Sequence, residues 1–302
     1  MSDVPTAPVL FIIFNRPVVT QTVFTVIREA RPKQLFVAAD GPRPHKAGEA
    51  SLCEQTRQII NQIDWDCAVY TLFQEQNLGC KRAVSSAIDW FFSHAEEGII
   101  LEDDCLPDLT FFSFCTDLLI RYRSNERVMH IGGITFQPDN QLFKEASYYF
   151  SGFTPIWGWA TWRRAWAHYK VDPTDNLRNL KLEPPYFSDR QQWYIKQVQA
   201  GRMDTWDVQW LVAVRSHNGL SIIPAVSLIR NIGFGMDATH TLRQPKWLDQ
   251  LRYGSITHLV HPSDISINQE ADWYEAQHIH RQPWYMKFVE FVYFPIKALF
   301  SR

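Results

Sequence analysis

The chain has 302 residues, 46% hydrophobic and 21% charged, enough apolar material for one large domain, or a domain with an elaborated second lobe, and too much for wholesale disorder. The formal net charge is −2 and no long basic run occurs, so nucleic acid is excluded as an expected partner. Five cysteines (Cys53, Cys67, Cys80, Cys105 and Cys115) include no CxxC pair, which argues against a disulfide framework or a zinc site and for a reducing compartment.

The N-terminus lacks the charged and apolar regions of a signal peptide, and no apolar run is long enough to span a bilayer. A cytoplasmic protein is expected. Twelve Trp, eleven Tyr and twenty Phe make the chain aromatic-rich; most of these rings suit a core, and some suit stacking on a sugar or a base.

Residues 9–14 are apolar and read as a buried strand, ending at Asn15-Arg16-Pro17, whose proline can open a helix. Residues 19–30 carry Val19, Val23, Val26, Ile27 and Ala30 at helical spacing. A second strand over 34–39 is closed by Asp40-Gly41-Pro42. A strand–helix–strand unit this short implies a parallel pair with a right-handed crossover, placing Arg16 and Asp40 at the carboxyl edge of a sheet. Alone, Asp40 before glycine reads first as a turn former. A helix over 49–63, a strand over 68–73 and a helix over 83–94 follow. Lys81 and Arg82 lie at the mouth of that last helix, where an anion or plain solvent would suit them.

The stretch 98–108 organises the rest. Ile99, Ile100 and Leu101 form an uninterrupted apolar run, as in a parallel strand buried on both faces. It breaks into Glu102, Asp103 and Asp104, and Pro107 bars a central strand from continuing. In open α/β sheets ligands bind at this edge. Three adjacent carboxylates repel unless a cation neutralises them, and a divalent metal shared with a nucleotide diphosphate answers that need; a solvated acidic turn is the plainer alternative. With the units before it, this cluster makes a nucleotide-binding half. No GxGxxG follows the first strand and no Walker-type loop occurs, which counts against dinucleotide or P-loop binding.

Beyond it, helical patterns cover 109–122 and 186–200, and Asp204-Thr205-Trp206-Asp207 opens another helix with an acid in its first turn. Strand-like segments lie at 128–131, 148–150, 220–223 and 226–229. In Trp157-Gly158-Trp159 the glycine suggests close approach of the backbone to a flat ligand or to another backbone. The Gly-rich loop 231–241 can close over phosphates, with His240 able to meet a phosphate or a metal. Residues 283–302 are apolar, aromatic and cationic, which fits peripheral contact with the inner membrane face, a partner subunit, or docking on the chain's own domain.

These pieces together resemble a GT-A glycosyltransferase of the nucleotide-sugar-dependent kind, in particular the inverting N-acetylglucosaminyltransferase I family and its family-2-like bacterial relatives. The resemblance rests on the opening around Asn15-Arg16-Pro17, the Asp40-Gly41 turn, Glu102-Asp103-Asp104 followed by Pro107-Asp108 and Phe111-Phe112, then Trp157-Gly158-Trp159, Trp206-Asp207, and Pro224 through Phe234-Gly235. Val208 stands where that family has a second acid. The resemblance implies an α/β fold with a mostly parallel, Rossmann-like central sheet flanked by helices and an acceptor-side lobe. It implies a domain over 1–242, with a nucleotide-binding half (8–135) and an acceptor half (136–242); residues 243–302 have no counterpart in that family, and the composition of their tail fits an interfacial or dimerising extension.

It further implies metal-dependent, inverting transfer of a sugar from a nucleoside diphosphate, a UDP-sugar first, to a hydroxyl of a glycan, a lipid-linked glycan or a protein. Arg16 and Asp40 would contact base or ribose, Glu102 would lie beside the base and Asp103 toward the ribose. Asp104 would ligate Mn2+ or Mg2+. Lys81, Arg82 and His240 would add charge at the diphosphate. Asp207 would be the general base, and Trp157, Trp159 and Trp206 the acceptor wall. A sugar-phosphate nucleotidyltransferase and a non-catalytic nucleotide-sugar-binding protein at a membrane surface are the alternatives.

Overall fold

The structure is a computed structural model and describes residues 5–139, 141–143, 145–178, 180–234 and 246–280. His240, most of the Gly-rich loop and the tail 283–302 lie outside the described residues.

The chain begins with β1 (Val9–Ile13), α1 (Pro17–Ala30), β2 (Gln34–Ala39), α2 (Glu49–Gln58), β3 (Ala68–Phe73), α3 (Cys80–His94) and β4 (Glu97–Glu102). The short β5 (Cys105–Pro107), α4 (Thr110–Tyr122), β6 (Val128–Gly132), β7 (Tyr148–Ser151) and β8 (Trp159–Trp162) follow. Then come α5 (Arg163–Trp166), α6 (Thr174–Leu177), α7 (Asp189–Gln199), α8 (Asp207–Ser216), β9 (Leu220–Pro224), β10 (Ile229–Asn231) and α9 (Gln269–His278).

Period-two alternation explains the layers. Val9, Phe11, Ile13, Leu35, Val37, Ala39, Ile99 and Leu101 share one buried cluster with α1 and α4. Leu10, Phe36, Ala38 and Ile100, one step out of phase, share the other with α3 and the Trp-rich elements. Strands apolar on both faces are therefore covered by helices on both faces. Gly98 fits this crowding: a Cβ there would meet the Pro8 carbonyl oxygen at 2.6 Å as well as Phe91.

Among the described residues the main sheet has eight strands, in the order β3-β2-β1-β4-β8-β6-β9-β7. The first four run parallel, as does β6 with β9, whereas β8 is antiparallel to both β4 and β6, and β7 to β9. The sheet is therefore mixed, which corrects the expectation of a mostly parallel one. The reason lies in the Trp157-Gly158-Trp159 segment. Gly158, at φ +57, turns the chain into β8, which threads between β4 and β6. Trp159, Ala160, Thr161 and Trp162 are all buried, so no polar face betrays this strand in the sequence.

Two boundaries also shift. The strand expected at 226–229 forms at Ile229–Asn231 and pairs antiparallel with β5, where Pro107 is the last paired residue. Pro107 thus ends a small ribbon beside the site rather than a sheet strand. The helix expected from 186 starts at Asp189.

Residues 246–280 pack on this body. Asn268 N–H donates to the Phe150 carbonyl at 2.8 Å. From α9, the buried Asp272 carboxylate accepts the Ser151 hydroxyl at 2.6 Å and the Gly152 N–H at 2.9 Å. Burial pushes its carboxyl up from 3.8 to about 6, against those two donors. Because the folded-state pKa is the higher one, this site favours folding fully below about pH 4, and that contribution is lost as pH rises through about 6. Urea titrations should therefore show wild-type stability falling between those limits, relative to Asp272→Asn, by on the order of 2–3 kcal/mol. Parallel profiles would remove Asp272 from this role.

Candidate functional site

The carboxyl ends of β1, β2 and β4 open into a cleft of about 1020 Å³. Its walls include Arg16 after β1, Asp40 after β2, Glu102, Asp103 and Asp104 after β4, and Asp207 at the first turn of α8. Residues as far apart in sequence as Arg16 and Asp207 thus meet in one cleft at the carboxyl edge of the parallel strands, as expected for such a sheet.

Arg16 neutralises two members of the acid trio. Its Nε donates to Asp103 Oδ2 at 3.3 Å, and its Nη2 donates to Asp103 Oδ1 and, at 3.0 Å, to Asp104 Oδ2. The side chains of Arg16, Asp103 and Asp104 are only 15%, 6% and 19% exposed, so water does little of this work. Burial pulls the guanidinium pKa down, but the two carboxylates outweigh it and leave the net shift upward. Burial likewise raises the Asp103 carboxyl to about 6, with Arg16 opposing. Glu102 goes to about 8: burial is the main cause, the negative charges of Asp104, Asp103 and Asp207 add to it, and Arg16 opposes.

Asp40 is spent on the loop beside it. Its oxygens accept Gly41, Leu78 and Gly79 N–H groups at 2.8, 2.8 and 3.2 Å and the Asn77 amide at 2.8 Å. The turn-former reading and the cleft-edge placement are therefore both realised. Nearby, Glu49 is buried and bound by Arg43 and by Asn15 Nδ2 at 2.8 Å; the Arg43 hydrogen bond chiefly holds its carboxyl down at about 2.

Asp207 accepts the Thr205 hydroxyl on Oδ1, and no described residue bonds its other oxygen. The segment before α8 is anchored by Asp204, which accepts Cys80 N–H at 2.8 Å and Lys81 N–H at 3.1 Å at the start of α3. Cys80 lines the cleft as a thiol: burial, then the charges of Glu102, Asp204 and Asp207, push it to about 12, which excludes a thiolate nucleophile near neutrality.

The remaining expected residues divide. Trp157 and Trp206 line the cleft. Trp159 does not: it is fully buried, stacked on His130 at 5.2 Å and on Trp206 at 5.6 Å. The side chains of Lys81 and Arg82 are likewise not part of the wall, Arg82 being exposed.

Sequence reasoning missed Arg190, Tyr194 and Arg202, which line the cleft from α7 and the turn after it. Arg190 and Tyr194 stand four apart on the expected helix, a spacing that puts them on one face. It missed Asp204 as a cap, which only its proximity to α3 reveals. It also missed Trp247, which stacks on Trp157 at 5.8 Å from a segment placed outside the expected domain.

No protein-family model and no curated protein matches this sequence. Among solved structures, the chain is similar to that of S. aureus TarS 1–349, with a TM-score of 0.41 and 10% identity over 74% of this chain and 59% of that one. It thus spans less than two thirds of the TarS structure. It is also similar to UDP-glucose pyrophosphorylase: complexed with UDP-glucose, at TM-score 0.34 and 10% identity over 72% and 90% of the two chains, and as the apo form, at 0.29 and 12% over 69% and 98%.

Removing Arg16 should leave two poorly solvated carboxylates facing each other. Arg16→Met is expected to cost about 3–5 kcal/mol in denaturant unfolding, and adding Asp103→Asn should recover a large part of it. Additive losses in the double variant would show that the pair does not act as a unit.

Proposed function

We propose that the protein transfers a sugar from a nucleoside diphosphate donor, a UDP-sugar first, to a hydroxyl of a glycan, a lipid-linked glycan or a protein, with inversion and with a divalent metal. What supports this is one observation above the others. An acid trio at the carboxyl end of a central strand and a separate carboxylate with a free oxygen, Asp207, line the same cleft. The first suits a diphosphate and its cation, and the second suits a base.

Among the described residues no group of three His, Cys, Asp or Glu is arranged to hold a metal. The donors fit a lighter attachment. Asp104 Oδ2 is bonded to Arg16, while Oδ1 meets only the Cys105 thiol at 3.6 Å. One hard carboxylate oxygen plus ligand phosphates is a shell in which Mg2+ or Mn2+ is commonly carried. Such an ion would supply positive charge to the departing diphosphate.

The chain's own residues do the rest. Asp207 takes the acceptor hydroxyl proton on the oxygen that Thr205 does not occupy. The acceptor oxygen bonds to the anomeric carbon from the face opposite the diphosphate, whose bond to that carbon breaks. Asp207 stands in the first turn of α8, which fixes its place at the cleft wall. Arg16 keeps Asp103 and Asp104 side by side through the cycle, and Trp157 and Trp206 wall the acceptor side and exclude water.

A sugar-phosphate nucleotidyltransferase is the second reading, favoured by Arg190 and Arg202 in the cleft wall, where a phosphate on the second substrate would find cations. The products separate them: nucleoside diphosphate for the first, pyrophosphate for the second.

A thermal-shift screen of UDP-, GDP- and CDP-sugars with manganese should raise the melting temperature for one base. In Asp104→Ala that shift should disappear, and an undiminished shift would remove Asp104 as the metal ligand. Asp207→Asn should keep donor affinity while turnover falls by about 10²–10⁴-fold, measured as nucleoside diphosphate release. Unchanged turnover would exclude Asp207 as the base.

A further inference from the structure

The cleft's charges are unevenly spent. On the nucleotide-half side, Arg16 is paired with Asp103 and Asp104, and Arg43 with Glu49. On the acceptor-half side, Arg190 and Arg202 also line the cleft, and among the described residues no carboxylate lies within ion-pair distance of either. Arg190 is half-buried. Its Nε donates to the Tyr194 hydroxyl at 2.9 Å, and its guanidinium lies 5.3 Å from the centre of the Tyr194 ring. That contact uses one of five N–H groups and leaves the two terminal nitrogens without an acceptor among the described residues. Because the Tyr194 hydroxyl accepts from Nε, its own hydrogen is left to donate outward.

Two further features bear on what these groups are for. The start of α3, where backbone N–H groups would otherwise welcome a phosphate, is filled by the chain's own Asp204 carboxylate. A ligand phosphate in this cleft therefore finds the first two of those donors already taken. The same Asp204 bonds fix the turn that carries Arg202 against the nucleotide half, so Arg202 is held at the rim by a residue two positions away.

From this we infer that Arg190 and Arg202, with the Tyr194 hydroxyl, form a phosphate-binding subsite on the acceptor-half wall of the cleft. Paired guanidinium groups suit a phosphoryl group better than point charges, because each offers a planar fork of donors. The phosphate comes either from the nucleotide's diphosphate or from a phosphorylated second substrate. Which one depends on the nucleotide-sugar reading; the subsite itself does not.

The test uses the full chain with Arg190→Gln/Arg202→Gln, and Arg163→Gln as a charge control from the far surface. Inorganic pyrophosphate is titrated and followed through the arginine Nε–H resonances; UDP and uridine are titrated by calorimetry, with circular dichroism to confirm folding. Pyrophosphate should bind wild type and Arg163→Gln and be lost from the double variant. UDP weakened by about tenfold or more, with uridine unchanged, assigns the subsite to the donor diphosphate. UDP unchanged while pyrophosphate is lost assigns it to the second substrate. Pyrophosphate binding without any UDP binding leaves the subsite standing and removes the UDP reading. Absence of pyrophosphate binding to wild type, or equal binding to the folded double variant, overturns the inference.

Discussion

The structure depends on one guanidinium. Arg16, set between β1 and α1, bonds both Asp103 and Asp104 from a site almost closed to water. Without it, the carboxyl end of the central strand would present adjacent negative charges in a poorly polarisable setting. The proline that follows Arg16 opens α1, so the arginine's position is fixed by a helix start rather than by a loose loop. The neutralisation is incomplete: burial chiefly lifts Glu102 above its ordinary range, and three neighbouring acids add to it against the one cation. The cleft therefore keeps an appetite for positive charge at its base, while its opposite wall carries two arginines with no carboxylate in ion-pair distance among the described residues. That polarity suits a ligand with phosphates in its middle.

The two halves of the chain meet through β8 and through Asp204. Strand β8 inserts between β4 and β6, joining the parallel half to the rest of the sheet by hydrogen bonds on both its edges. Asp204 does the same at the surface, tying the turn before α8 to the first residues of α3. Asp207, three residues on, thus has its distance from the β4 acids set by two separate connections. Fixed separation of this kind is what the proposed proton transfer and in-line attack would require.

How much of this was legible follows from the physics of each signal. The strands at 9–14, 34–39 and 98–102 were readable because apolar runs bounded by Pro, Gly or acids leave few alternatives. The cleft edge followed from topology, so Arg16, Asp40 and the acid trio met where expected. Strand β8 was hidden, because a strand buried on both faces has no alternation, and four residues are too few to show length. Trp159 was expected at the wall on the strength of its type, but an indole fills a core equally well. Arg190 and Arg202 carried no motif; what singles them out is that no carboxylate among the described residues stands in ion-pair distance, which exists only in three dimensions. Asp204 as a cap and Trp247 as a stacking partner of Trp157 were closed to sequence reasoning for the same reason, since each acts across more than 80 residues.

The indoles of Trp159 and Trp166 lie 6.1 Å apart, and each lies within 5.2 to 6.5 Å of those of Trp206 and Trp210; Trp206 also forms part of the cleft wall. Rings this near exchange excitation, so light absorbed deep in the core can be emitted, or lost, at the ring beside the cleft. His130, held neutral by burial, stacks against the same group and leaves it free of a protonated quencher across the physiological range. The molecule thus carries a built-in optical antenna whose outermost member faces whatever fills the cavity, and occupancy becomes visible in its native ultraviolet emission without a label.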